Sequence, residues 1–463
     1  MIHSTIAAIS TPHGRGGIAV IRISGEEAVR VGAEVFRPFG KRQLKSLAPN
    51  EMVHGAIYAD GRRIDDGMAV VFRAPRSYTG EDTVEISCHG GILLSQLVLE
   101  SALRAGAEMA GAGEFTRRAF LNGKLGLTQA EAVIDLIDAE SEEKIRLKSA
   151  QTRGVLEKRI ASLRERILMC VSSVYASIDF PDEDMTDFSV EELRARLIGI
   201  RAEVDRLADT YRAGRAIGEG IDTLIVGKPN TGKSSLLNLL LGEERAIVTS
   251  HAGTTRDTIE ETAVLGKVLL RLCDTAGIHP TSDEVERIGI DRVLARLPSA
   301  PLILAVFDGS APLDEEDMEV LALLERMQAE NPEGEILLVC NKADCPSSDA
   351  GEALRARFGR VLALSCKTGA GRDALIEAVN ALYIDGEIDY DHTAVVSGAR
   401  QRAGLRSASD CLGNAIAALD AGMTQDIAGM DLEHALARLA EIDGRSVTEE
   451  IVDDIFHRFC VGK

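Results

Sequence analysis

Apolar and polar positions follow different rhythms along this chain. Up to about residue 120, short apolar runs are broken by glycine turns. Ile18-Ala-Val-Ile-Arg-Ile23 and Met68-Ala-Val-Val-Phe72 predict strands, and Ile92 to Leu103, after Gly90-Gly91, predicts a short helix. From Gln129 to about Phe180 the period changes. Leu156, Ile160, Leu163, Ile167, Cys170, Val174 and Ile178 recur at steps of three and four, which places them on one face of a long helix. A second helical stretch is expected from Val190 to Ala213, and the glycine-bearing segment Tyr211 to Gly220 reads as a linker. Buried-strand runs follow at Thr223–Val226, Val268–Cys273, Ile336–Cys340 and Val361–Leu364. Ile384 to His392 is a polar break, after which helices resume from about Ala394. Ser446-x-x-Glu449 predicts a capping box for the last helix, with Ile451, Val452, Ile455, Phe456 and Phe459 on its apolar side. Helices therefore flank the central α/β region on both sides. One discontinuous helical domain with the α/β domain inserted into it buries more surface than two separate small ones.

The chain has 463 residues, enough for ~3 domains of ~150 residues. Its 45% hydrophobic and 27% charged residues suit a globular protein that needs no disulfide or metal staple. There is no Trp and only 4% aromatic residues, so base-stacking platforms are few. The net charge of −21 repels polyanions, so a nucleic-acid partner requires a local basic patch or a basic companion protein. The arginines at 159, 164, 166, 201, 206, 212 and 215 read as solvated helix faces with charge pairs. None of the eight cysteines forms a C-x-x-C pair, which argues against a zinc or redox motif and fits a reducing cytosol. With no signal peptide and no apolar run near 18 residues, a cytoplasmic protein without a membrane span is expected.

Gly227-Lys-Pro-Asn-Thr-Gly-Lys-Ser234 is a complete G-x-x-x-x-G-K-[ST] phosphate loop, between the strand Thr223–Val226 and a helical run Ser235–Leu241. Its amides and the helix N-terminus face a phosphate chain, Lys233 reaches the β- and γ-phosphates, and the Ser234 hydroxyl suits Mg²⁺. Asn341-Lys342-Ala343-Asp344 follows a strand, and Asp344 there accepts two hydrogen bonds from guanine that adenine does not offer. Ser365-Cys366-Lys367 would pack on the base from the other side. Asp274-Thr275-Ala276-Gly277 fits the element that senses the γ-phosphate, and Thr255 in Gly253-Thr254-Thr255-Arg256-Asp257 would close over Mg²⁺. The residue after Gly277 is Ile278, which cannot orient water, so another polar group must do so. Glu286 in the acidic run Asp283-Glu284-Val285-Glu286 is the candidate; a dipole-favoured carboxylate at a helix N-terminus is the equal alternative. Asn230 could help bind a monovalent cation that neutralises transition-state charge.

Several longer stretches share one order with a known family. They are Thr11-Pro-His-Gly-Arg-Gly-Gly17, Tyr78-Thr-Gly-Glu-Asp82 with His89-Gly-Gly91, Gly113 to Lys124, Gly227 to Asn230, Gly253 to Asp257, Asp283 to Gly289 and Phe459-Cys-Val-Gly-Lys463. Over essentially its whole length the chain resembles the MnmE (TrmE) family of tRNA uridine-5-carboxymethylaminomethyl modification GTPases. The resemblance implies a multidomain α/β plus all-α fold: a folate-binding and dimerisation domain at 1–120, a helical domain at 121–216 and 385–463, and a Ras-like P-loop G domain inserted at 217–384. It implies a homodimer, a second pairing of G domains, and an FAD- and NADH-using MnmG-like partner in a heterotetramer or larger complex. Together these would modify C5 of wobble uridine in certain tRNAs, with a tetrahydrofolate derivative (5-formyl or 5,10-methylene) as cofactor. FAD enters only through the partner.

By the same resemblance, folate contacts fall on Arg22, Glu85, Lys124 and Lys463. Potassium falls on Asn230, Thr249, His251 (its carbonyl) and Thr254, and Mg²⁺ on Ser234 and Thr255. The catalytic carboxylate is Glu286. GTP contacts span Asn230, Thr231, Gly232, Lys233, Ser234 and Ser235, then Thr249, Ser250, His251, Ala252, Gly253, Thr254 and Thr255. They continue through Asp274, Thr275, Ala276 and Gly277 to Asn341, Lys342, Ala343, Asp344, Ser365, Cys366 and Lys367. Many members carry Arg where His279 stands. Cys460 has the spacing of a prenylation box, but Gly462 and Lys463 suit it poorly. A buried or folate-adjacent cysteine is the better expectation, with packing and catalytic roles both open. Two other functions share part of this pattern: a GTP-switched ribosome-assembly factor, and a folate-dependent aminomethyltransferase with a regulatory G domain.

Overall fold

The computed structural model describes residues 4–179, 189–242, 261–272, 300–346, 348–384, 386–446, 449–457 and 459–462. The chain divides into two compact units. One comprises Met1–Ile134, Thr152–Glu157 and Leu439–Lys463; the other comprises Asp135–Gln151 and Lys158–Arg438.

The first unit is built on seven strands: β1 (Ile6–Ile9), β2 (Ile18–Ser24), β3 (Phe36–Pro38), β4 (Met52–Ala59), β5 (Arg62–Phe72), β6 (Thr83–His89) and β7 (Glu108–Met109). Their order is β3-β4-β5-β6-β2-β1-β7, antiparallel except for the β1–β7 pair. Strand β5 runs well upstream of the apolar run Met68–Phe72. Its polar half has no hydrophobic signature and is held by pairing with β4, as in Tyr58↔Arg63. Helices Ala28–Val35 and Ile92–Arg104 share a core with the sheet through Val31, Val98, Ile21, Ile57 and Ile86.

At the end of the chain, helix Glu449–His457 buries Val452 and Phe456, while Ile451 is exposed, unlike the apolar side expected for it. Phe459 lies past the helix and joins the same cluster as Ala130 and Phe456. Residues 447 and 448, between the expected box partners Ser446 and Glu449, lie outside the described residues, so the box itself is not described.

In the second unit, β8 (Ile221–Val226), β9 (Glu261–Leu265), β10 (Val268–Leu272), β11 (Leu302–Asp308), β12 (Glu335–Asn341) and β13 (Val361–Ala363) form a sheet ordered β13-β12-β11-β8-β10-β9. All neighbours are parallel except β9 and β10. The inner strands read as unbroken apolar runs because both faces are covered. Val306 and Val339 point to one core; Ala305, Phe307 and Leu338 point to the other.

Helix Val155–Asp179 forms as its period predicts, with Leu156 to Val174 of the apolar set buried and Ile178 exposed. Helix Val190–Asp209 opens on a Ser189/Glu192 capping box and packs along helix Ala399–Asp420, joined by the Arg194–Asp420 and Arg406–Asp205 pairs. The two helical stretches that flank the six-stranded sheet in sequence therefore meet. The segment expected as a linker after Tyr211 is instead helix Tyr211–Gly218. Its Gly214 is a packing device: a Cβ there would lie 2.0 Å from the Val396 carbonyl oxygen. Part of the arginine cluster forms the expected charge pairs, with Arg159 and Arg166 both 2.8 Å from Glu203, and Arg212 bonded to Glu335. Among the described residues, no helix is long and apolar enough to cross a membrane, and no His/Cys/Asp/Glu group could hold a metal ion.

Candidate nucleotide site

The phosphate loop leaves the end of β8 through Gly227, whose φ is +150°, and enters helix Lys233–Leu241 through Gly232, whose φ is +99°. Both positions require glycine on two counts. The φ is unfavourable to L side chains, and a Cβ would stand 2.3 Å from the Val306 carbonyl oxygen or 2.1 Å from Asn341 Nδ2. Asn230 is left-handed at φ 63°, a conformation Asn tolerates, so the backbone alone also gives a reason for Asn here. The Lys233 ammonium folds across the loop and donates to the carbonyls of Gly227 (2.8 Å) and Lys228 (2.7 Å). Thr231 is buried, and its hydroxyl donates to the Lys228 carbonyl at 3.1 Å. Ser234 and Ser235 are exposed on the first turn of the helix. Among them Ser234 offers the hard oxygen donor that Mg²⁺ takes.

The specificity motifs sit at the ends of β12 and β13. Asn341 is buried and bridges two loops: Nδ2 donates to the Thr231 carbonyl at 2.9 Å, and Oδ1 accepts from the Cys366 N–H at 3.0 Å. One side chain thus fixes the distance between the phosphate end and the base end of the site. Asp344 accepts the Ser365 hydroxyl at 2.6 Å. That bond and a backbone N–H hold its carboxyl below the ordinary carboxylate range, so it is an acceptor at neutral pH. Ala343 donates its N–H to the Leu364 carbonyl at 3.1 Å, and Ser365 is buried beneath exposed Lys367. Half-buried Cys366 has its thiol pushed up to about 11 by burial, as suits a packing cysteine.

Four anchors were not legible as site residues: Asp308, the partner of Lys342, and Lys228 with Asp314 and Asp317. Lys342 lies at φ 64° with its ammonium 2.5 Å from Asp308, at the end of β11. Burial opposes the Asp308 charge, but hydrogen bonds from Lys342 and Ser310 outweigh it and hold its pKa low. Lys228, inside the phosphate loop, reaches Asp314 (2.5 Å) and Asp317 (2.7 Å). These two aspartates cap helix Glu315–Glu330, and their D-x-x-D spacing after β11 is the signal that could have found them.

Thr249, Ser250, His251, Ala252, Gly253, Thr254, Thr255, Cys273, Asp274, Thr275, Ala276, Gly277, His279 and Glu286 lie outside the described residues, as does Lys463.

In the first unit, Arg22 and Glu85 are paired across β2 and β6 and joined at 2.8 Å. The Arg22 guanidinium lies 5.6 Å from the Tyr78 ring centroid and 5.5 Å from that of Phe115. Burial pushes the Tyr78 phenol up, and its hydroxyl meets Thr116 at 2.9 Å. Lys124 donates to the Pro75 carbonyl at 2.9 Å rather than to the Arg22–Glu85 pair. Tyr78 and Phe115 are not legible as partners of Arg22, because nothing in the sequence sets two aromatics from separate segments over one guanidinium. The chain's last residues form a bridge between Ala112 and Val461, and Ser10 donates to the Gly462 carbonyl at 3.0 Å. Cys460 is exposed, which corrects the expectation of a buried thiol: its carbonyl, not its side chain, faces the Gly113 N–H, at 3.4 Å.

A glycine-built phosphate loop tied through Asn341 to a guanine-type carboxylate defines the second unit as that of a P-loop GTP hydrolase. Residues 5–124 match the family described as GTP-binding protein TrmE N-terminus, and residues 127–460 match the MnmE helical domain. The chain belongs to the MnmE (TrmE) family. The tRNA modification GTPase MnmE of Symbiobacterium thermophilum is 43% identical over 467 residues, covering 100% of both chains. That of Geobacillus thermodenitrificans is 42% identical, with 99% of each chain covered, and that of Clostridioides difficile is 38% identical, with 100% of each covered.

Proposed function

We propose that this chain is a cytoplasmic, homodimeric, potassium-stimulated GTPase that drives addition of a carboxymethylaminomethyl group to C5 of wobble uridine (U34) in certain tRNAs. The observation that carries the GTPase reading is the pair of hydrogen bonds that Asn341 makes, donating to the Thr231 carbonyl and accepting from the Cys366 N–H, which brings phosphate loop and guanine motif together for one ligand. The Lys233 ammonium exchanges its two loop carbonyls for β- and γ-phosphate oxygens. The loop amides and the start of helix Lys233–Leu241 stabilise the same charge. Asp344 selects guanine by accepting from the base edge. Ser234 and Thr255 would hold Mg²⁺, which would neutralise phosphate charge. Asn230, Thr249, Thr254 and the His251 carbonyl hold K⁺ where its charge assists the transition state. Glu286 orients the attacking water. Domain boundaries near 120, 216 and 384 complete this reading.

The modification chemistry belongs to the first unit and to an FAD-bearing MnmG-like partner. Arg22, with Glu85, Lys124 and Lys463, binds a tetrahydrofolate derivative that carries the one-carbon unit. The Arg22 guanidinium, held by Glu85 and resting over the Tyr78 and Phe115 rings, supports this, since it offers fixed planar donors to the polar edge of a flat heterocycle.

GTP turnover measured in KCl and in NaCl at equal ionic strength tests the proposal. Faster hydrolysis in KCl is expected, and equal rates remove the potassium role. Glu286→Ala should hydrolyse GTP slowly with nearly intact nucleotide binding; wild-type turnover would remove Glu286 from the mechanism.

A further inference from the structure

The second residue of the phosphate loop, Lys228, carries a side chain that points away from the loop's concave face. Its ammonium lies 2.5 Å from Asp314 Oδ2 and 2.7 Å from Asp317 Oδ2, at the start of helix Glu315–Glu330. The same carboxylates close that helix's capping box: Asp314 Oδ1 accepts from the Asp317 N–H at 3.1 Å, and Asp317 Oδ2 accepts from the Asp314 N–H at 3.2 Å. Asp317 is 3% exposed, and its Oδ1 is buried with no hydrogen-bond partner. A buried carboxylate so placed depends on its one cation, and losing that cation leaves an uncompensated charge beside a second acid.

Meanwhile the Lys228 main chain sits at the centre of the loop. Its carbonyl accepts both from Lys233 Nζ at 2.7 Å and from the Thr231 hydroxyl at 3.1 Å. Residue 228 therefore fixes the loop from outside through its side chain and orders it inside through its carbonyl. The loop's far end is fixed independently by Asn341 on the Thr231 carbonyl.

We propose that Lys228 is a positioning residue for GTP: its bond to the Asp314–Asp317 cap holds the phosphate loop in the curvature that receives the nucleotide. In this arrangement the Lys228 ammonium is committed to the two aspartates. The inference rests on the GTPase reading above, and the cap makes helix Glu315–Glu330 part of the nucleotide site although that helix carries none of its motif residues.

The full-length protein tests this with Lys228→Met, Lys228→Arg, Asp317→Asn and the Lys228→Met/Asp317→Asn double variant. Each is assayed for GTP KM and kcat, for GDP affinity, and for thermal midpoint. Lys228→Met should raise KM for GTP and weaken GDP binding about tenfold while kcat stays within about twofold. Lys228→Arg should restore both, since Arg also spans two carboxylates. The double variant should be no weaker in GDP binding than Lys228→Met alone, because the two side chains act as one unit. The inference is overturned if Lys228→Met folds and binds GDP as the wild type does, if it lowers the melting temperature without touching KM, or if kcat alone falls. Fully additive single effects overturn it too. A wild-type protein that ignores guanine nucleotides would instead overturn the GTPase reading, which keeps the two failures distinct.

Discussion

Gly232 shows how one absent side chain can set a whole site. Asn341 reaches the phosphate loop only because nothing projects from residue 232, and a Cβ there would stand 2.1 Å from its amide nitrogen. Gly232→Ala should therefore weaken GTP binding by more than about 100-fold, some 2.7 kcal/mol, while far-ultraviolet circular dichroism stays unchanged. Near-normal nucleotide affinity would mean that the loop can open without cost. Asp344 makes a different prediction. Its carboxylate is kept ionised by Ser365, so Asp344→Ala should erase the preference for GTP over ATP in competition binding. His89 in the first unit carries a pH dependence. Asp65 hydrogen-bonds its ring nitrogen at 2.8 Å and raises the imidazole pKa above its usual 6.5. A folded-state pKa above the unfolded one stabilises fully below 6.5 and loses that contribution as pH climbs through the folded value. The melting temperature should fall modestly across that window, and Asp65→Asn should flatten the fall. An unchanged slope in that variant would assign the pH dependence elsewhere.

At the scale of elements, legibility followed the physics of each signal. The buried strands β8, β10 and β12 announce themselves as apolar runs, and the phosphate loop announces itself by spacing; β11, equally apolar, was not read. The polar half of β5 does not announce itself, because cross-strand hydrogen bonds rather than burial hold it. Helix Tyr211–Gly218 was hidden by its own glycines, which read locally as breakers, whereas Gly214 makes room for a crossing backbone. The anchors Lys228 and Asp308 were illegible for a related reason: each meets its partner across a sequence gap that no periodicity spans. Gly214→Ala tests the tertiary reading. Forcing a methyl group against the Val396 carbonyl should cost about 1–3 kcal/mol in denaturant unfolding. A variant as stable as the wild type would show that residues 395–397 can move aside.

For the molecule as a whole, acidity constrains the proposed RNA chemistry. A net charge of −21 disfavours tRNA except where a basic surface, or a basic partner, meets it. Binding of tRNA by this protein alone should be weak and steeply salt-dependent, and the partner should strengthen it. Salt-insensitive binding without the partner would contradict that expectation. Tetrahydrofolate binding by the full chain separates the proposed function from a ribosome-assembly switch, and mass spectrometry of wobble uridine from cells lacking the gene separates it from an aminomethyltransferase.

The place where the chain leaves the helical bundle for the six-stranded sheet, and the place where it comes back, are hydrogen-bonded neighbours. The Thr210 hydroxyl accepts the Val396 N–H at 3.0 Å. A nucleotide-binding cassette spliced in at such a seam asks nothing of the host but one gap between two adjacent residues. An ancestral bundle could have acquired its motor in a single graft, without prising its own helices apart.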